Sequence, residues 1–270
     1  MYLIDFNNFD HNFCEASIYS SGNNPEYMNS LSSLFITFIG INGLFKKYNL
    51  LNIILLYSTL VVNGITSLFY HYYNTIGWGL MDRMSMILIA ISSVNLFLDN
   101  VNQFLIYEGY KKIHLLNTII HLAVVSYFII LFTVAGLHME NVFNIMFAFF
   151  LVFLLFNVLL INKHYRRMGI PYKLVLLSKK GILYIIISGV FWIVTENLCG
   201  KIFFVKYLFG HVWWHIFVSS GGYMLSLIPI YIYMMKISRC KIDINYDYFN
   251  MPYLVFNNNE KIFNIPDLLV

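Results

Sequence analysis

Seven apolar runs, each with room for a bilayer-length helix, constrain this chain more than any other feature. They fall at about 28 to 45, 49 to 72, 79 to 98, 114 to 136, 142 to 162, 181 to 200 and 208 to 235. A hydrocarbon core of about 30 Å takes roughly 20 helical residues. Within it every backbone N–H and C=O must find a partner inside the chain, which favours the α-helix for runs of this length. Of the 270 residues 59% are hydrophobic and only 11% charged, far from the balance of a soluble domain. The sequence therefore predicts an all-α membrane protein: a seven-transmembrane helix bundle over 28–235, an N-terminal segment over 1–27 and a tail over 236–270. A net charge of +4, scattered along the chain, argues against a nucleic-acid partner. Met1 to Glu26 holds acidic and polar residues where a cleavable signal peptide would carry a basic and then an apolar region.

Lysine and arginine set the expected orientation. With seven crossings, one side collects Lys46, Lys47, Lys111, Lys112, Lys163, Arg166, Arg167, Lys173, Lys179, Lys180, Lys236, Arg239 and Lys241, and the loops of the other side collect Lys201 and Lys206. Basic loops stay cytosolic, so the N-terminus is expected to be lumenal or extracellular and the C-terminus cytosolic. The tail after Lys236, with Asp243, Asn245, Asp247 and Asn257 to Asn259, is expected to be mobile.

On this topology several polar residues share one depth. His71 ends the second run, Asp82 opens the third, and His211 and His215 open the seventh, all in the outer leaflet. Ser67 lies one turn deeper than His71 on the same helix face, and His211 and His215 are stacked by the same four-residue spacing, about one 5.4 Å turn. Taken singly, each has an ordinary explanation. Ser67 could bond its own i−4 carbonyl, Asp82 could pair with Arg83, and a His-x-x-x-His pair could bond to backbone. Together they suit zinc chemistry, because ionisable groups at such depth are costly unless they pair or bind an ion. Three neutral imidazoles hold Zn²⁺ and leave a fourth position open to water, whose pKa the ion lowers to about 7. Asp82 is then a candidate general base or orienting acceptor, and Ser67 a candidate donor to an oxyanion.

The segments Gly64-Ile65-Thr66-Ser67-Leu68-Phe69-Tyr70-His71 and His211-Val212-Trp213-Trp214-His215, with Asp82 between them, resemble the pattern of alkaline ceramidases. Phe13-Cys14-Glu15 and Glu26-Tyr27-Met28-Asn29-Ser30-Leu31-Ser32 are similar to that family's opening motif. The resemblance runs from about residue 12 to 235 and implies hydrolysis of the ceramide amide to a sphingoid base and a fatty acid, in an endoplasmic reticulum or Golgi membrane. It implies His71, His211 and His215 as zinc ligands, Ser67 as oxyanion partner and Asp82 as base. A two-tailed lipid substrate also fits an apolar chamber inside a helical bundle.

Two departures stand against the match. The family's calcium motif, Asp-Trp-Cys-Glu-x-Asn and a later Glu, reads Asn12-Phe13-Cys14-Glu15-Ala16-Ser17 and Glu26 here. With Glu15 and Glu26 the remaining carboxylates and Asp10 a possible substitute, a weakened calcium site or none is expected. Arg83 stands where the family has a second acid, placing a cation beside Asp82. Cys14 and Cys199 both fall on the lumenal side and are expected to form a disulfide. Two other functions fit the same residues: hydrolysis of a different lipid amide or ester, and a receptor-like or non-catalytic protein that keeps zinc for structure.

Overall fold

The computed structural model describes residues 6, 8–10, 12–19, 25–46, 48, 51–107, 139–166, 169–237 and 240–261. Six long helices dominate them: α1 Tyr27–Phe45, α2 Leu51–Tyr73, α3 Ile76–Tyr107, α4 Met139–His164, α5 Tyr172–Leu198 and α6 Gly210–Ile237. Each contains a stretch long and apolar enough to cross a membrane. Short 3₁₀ helices cover Cys14–Ile18 and Phe203–Leu208. The run expected at 114 to 136 lies outside the described residues.

The helices match the other six runs, with two instructive extensions. α3 begins at Ile76 and carries Asp82 and Arg83 inside its second turn. α5 begins at Tyr172, behind the extended Pro171, well before the apolar run that starts near 181. Lys179 and Lys180 precede the run but lie within the helix. Long basic side chains lie along a helix and place only the charge at the interface, and Lys180 Nζ sits 5.3 Å from the centre of the Tyr184 ring.

Lipid tails are as apolar as leucine, so burial of leucine alone cannot hold membrane helices together; close backbone approach and hydrogen bonds must contribute. Small residues supply that approach. A Cβ on Gly64 of α2 would lie 2.8 Å from the Ser33 carbonyl of α1. Gly181 of α5 and Gly221 of α6 face each other, each blocking a side chain on the other: a Cβ would meet the opposite carbonyl at 2.8 and 2.7 Å. The core between them includes Ile39, Ile53, Tyr57, Val158, Leu227 and Ile228, while Leu31, Val62, Val152 and Ile193 point outward.

The N-terminal segment straps one end of the bundle. Asp10 N–H donates to the Asn74 carbonyl at 2.8 Å and Ile76 N–H to the Asn8 carbonyl at 2.9 Å, across the corner between α2 and α3. Cys14 and Cys199 form the expected disulfide, with their Cα atoms 5.6 Å apart, and tie the strap to the end of α5.

At the other end the tail departs from expectation. Cys240–Tyr246 (β1) and Pro252–Lys261 (β2) form an antiparallel hairpin. Asp247 folds the turn by accepting from the Phe249 and Met251 amides at 3.0 and 2.9 Å, and Asn250 takes the left-handed φ of 58° that asparagine tolerates. Ile242 and Leu254 are buried against the bundle. Lys46 Nζ meets Asp247 Oδ2 at 2.8 Å, Leu254 N–H donates to the Tyr48 hydroxyl at 2.9 Å and the Tyr223 hydroxyl to the Pro252 carbonyl at 2.9 Å. Burial of the Tyr48 phenol pushes its pKa up to about 12, so it stays a neutral hydrogen-bonding group.

Candidate metal centre

The last turn of α2 and the first turns of α6 meet under the N-terminal strap. α6 can begin there because Gly210 packs on Thr195 of α5, where any Cβ would overlap the threonine hydroxyl. His71, His211 and His215 are 1%, 7% and 3% exposed, and each offers a ligand atom within 4.8 Å of the others. Their ring centres lie 4.7 to 5.2 Å apart. Phe13 of the strap closes over them, its ring centre 4.4 Å from that of His211 and 5.0 Å from that of His71.

Two of the three imidazoles have an oxygen at hydrogen-bond distance from Nδ1. His71 Nδ1 is 2.8 Å from Glu26 Oε2, and His215 Nδ1 is 2.8 Å from Ser32 Oγ. His211 Nδ1 lies 4.0 Å from Glu196 Oε1. A carboxylate at Nδ1, as Glu26 is at His71, fixes the tautomer and leaves Nε2 for an ion, an arrangement in which histidine binds zinc well. The donor set fits zinc: three buried imidazoles on two helices, with His71 and His215 oriented by oxygen partners.

Ser67 and Asp82 join the same polar group. Ser33 Oγ is 3.4 Å from His215 Nδ1 and donates to Ser67 Oγ at 3.0 Å, and the Ser67 hydroxyl is hydrogen-bonded to the Asp82 carboxyl. Both residues are buried. The cation expected beside Asp82 is shared with other groups: Arg83 Nη2 pairs with Asp10 Oδ2 at 3.2 Å and its guanidinium lies over the Tyr70 ring.

The carboxylates considered for calcium are engaged with donors. Glu15 accepts from the Met28 and Asn29 amides, both at 2.7 Å, and from the Tyr19 hydroxyl at 3.1 Å, so it caps the N-terminus of α1. Burial pushes its carboxyl above the ordinary value, against the pull of those donors. Glu26 accepts from the Phe13 amide at 2.6 Å and the Asn29 amide group at 3.1 Å besides facing His71. A carboxylate oxygen turned toward N–H groups is poorly placed for a cation, and Asp10 is taken by Arg83 and by the Tyr70 hydroxyl at 2.8 Å. Nothing in this geometry supports a calcium site.

Ser32, Ser33, Asn63 and Glu196 belong to the site without having been expected there. Asn63 had a readable signal, since Asn63, Ser67 and His71 repeat the four-residue spacing along one face of α2.

Bilayer-length helices gathered around a buried three-histidine donor set define a multi-pass membrane protein with a candidate metal centre. A family model described as Ceramidase matches residues 8–255, and the chain belongs to that family. No curated protein matches the chain. Membership implies a hydrolase of an amide bond and ceramide, a membrane lipid, as the substrate class.

Proposed function

We propose that this chain is a zinc-dependent amidohydrolase of the alkaline ceramidase type that cleaves ceramide to a sphingoid base and a free fatty acid. His71, His211 and His215 hold the metal, Asp82 is the general base and Ser67 donates to the oxyanion. The observation that carries the reading is the hydrogen-bonded path from His215 through Ser33 and Ser67 to Asp82. A metal kept only for structure needs no carboxylate wired to its ligands.

When bound, zinc would acidify a water and polarise the amide carbonyl. Asp82 accepts the proton of the attacking water. Once neutral, it holds the Ser67 hydroxyl less strongly, since hydrogen bonds to charged acceptors are the stronger kind, and that hydroxyl can turn to the developing oxyanion. Asp82 then returns the proton to the leaving amine.

The proposed bundle has seven spans, with the N-terminus lumenal and the C-terminus cytosolic, in an endoplasmic reticulum or Golgi membrane. The ends of the described helices support an odd count. α3 starts at the metal end and runs away from it. α5 finishes at the metal end, where Cys199 meets Cys14, so α4, joined to its start by a short turn, begins at the metal end too. The apolar run read from the sequence at about 114 to 136 is long enough to supply the crossing that both require.

The test uses the purified full chain in detergent. About one zinc per chain and release of fatty acid from a fluorescent ceramide are expected, with both lost in His211→Ala. Full turnover by that variant would overturn the metal mechanism. Zinc without turnover on any of several lipid amides would instead favour a non-catalytic metal protein.

A further inference from the structure

Asn63 sits in the middle of α2, buried against α3, with its side-chain amide aimed at Asp82. Its Nδ2 donates to Asp82 Oδ1 at 2.9 Å and to Ser85 Oγ at 2.9 Å, and lies 3.4 Å from the Asp82 carbonyl. An ionised carboxylate only accepts, which fixes the amide's orientation. Ser85 is held in turn: its hydroxyl donates to the Asp82 carbonyl at 2.7 Å, and Thr66 Oγ1 stands 3.1 Å away. Thr66 closes the ring by donating to the Asn63 carbonyl at 3.1 Å. The two N–H bonds of the amide thus grip the carboxylate and the next turn of α3 at once.

We infer that Asn63 is a positioning residue for the hydrolysis: it fixes one oxygen of Asp82 and so sets the direction in which the carboxyl group takes and returns the proton. A neutral donor suits this task, because it orients a carboxylate without cancelling the charge that makes it a base. The inference rests on the reading of Asp82 as the base. It adds that correct chemistry at Asp82 requires the amide, beyond the helix packing that any side chain of similar size would provide.

Asn63→Leu keeps the volume and removes both donors. It is expected to lower kcat about 10- to 100-fold, the scale of a small misplacement of a reacting group. KM should stay within about twofold, since no substrate contact is removed, and zinc content should be unchanged. Asn63→Gln keeps the amide and is expected to recover at least part of kcat. A kcat within about twofold of the parent in Asn63→Leu, with zinc intact, overturns the inference, as does a loss carried by KM alone. If Asn63→Leu does not fold, Ser85→Ala tests the same grip: a kcat loss of about threefold to tenfold at constant KM supports it, and an unchanged kcat overturns it. Asp82→Asn separates the two readings. An inactive Asp82→Asn beside a fully active Asn63→Leu defeats only the positioning role, whereas a fully active Asp82→Asn defeats the base assignment itself.

Discussion

A ring nitrogen makes a good ligand when the opposite nitrogen is held, and Glu26 holds His71 in two ways. Its carboxylate faces Nδ1 at 2.8 Å, and its backbone N–H donates to the His71 carbonyl at 2.9 Å. Glu26→Gln keeps the shape and removes the charge. Its zinc affinity should fall about 10- to 100-fold, the usual effect of losing a carboxylate behind a histidine ligand, as read by competition with a chromogenic chelator. Unchanged affinity would show that Glu26 serves only the strap. The three histidines were readable from residue type and shared depth, because few other reasons place imidazoles there. The role of Glu26 was not, since a carboxylate near a helix start fits a cation, a cap or a histidine equally well. Only the packing of α1 on α2 decides which donor it meets. Glu196 was hidden for the same reason: it is an acid at the end of an apolar run, and its use depends on α5 lying beside the strap, where it accepts from the Cys14 amide at 2.8 Å.

Among the elements, the hairpin is where sequence reasoning went astray. Asn and Asp in the tail suggested a solvated, mobile segment. Ile242-Asp243-Ile244-Asn245 nevertheless alternates with the period of a strand, and Asp247 to Asn250 is a turn sequence. The alternation was legible; the surface that rewards it, made by Tyr48, Tyr223 and the end of α1, was not. Asp247 joins the two, and the balance at its carboxyl can be signed. Burial opposes ionisation, but Lys46, the Met251 amide and Asn42 outweigh it and keep the pKa below the ordinary value. A depressed carboxyl stabilises the docked hairpin above the pKa of the unfolded chain, and that contribution is lost as pH falls through the folded value. Amide exchange over 240–256, corrected for its intrinsic pH dependence, should therefore show weaker protection once pH drops below about 4. In Asp247→Asn, exchange at neutral pH should already be about tenfold faster, the scale of one hydrogen bond to a charged group, and the acid step should vanish. An acid step of the same size in the variant would assign it to another carboxyl.

At the scale of the whole molecule, the bond between Cys14 and Cys199 closes a loop that contains five of the six described helices, α1 to α5. Span positions made the helices, and the shared end of the two cysteines, legible, because the bilayer restricts what an apolar run can do. They could not show that the same bond draws Phe13 over the histidines and brings the Cys14 amide to Glu196. The closure bears on the proposed topology: disulfides persist on the oxidising side of a membrane, so the bridge favours the lumenal side for the strap and, with it, for the candidate metal end. Two results should therefore go together. A glycosylation acceptor placed near residue 22 should gain a glycan, while one near residue 265 should not. Cys14→Ser combined with Cys199→Ser should lower thermal stability by about 2–4 kcal/mol, the usual contribution of a bridge, and should hasten zinc loss to a chelator, because Phe13 and Glu26 are held by the same strap. A glycan at the tail alone would reverse the orientation. If the cysteine variant destabilised the protein but left zinc loss unchanged, the strap would be shown to hold the fold without guarding the metal.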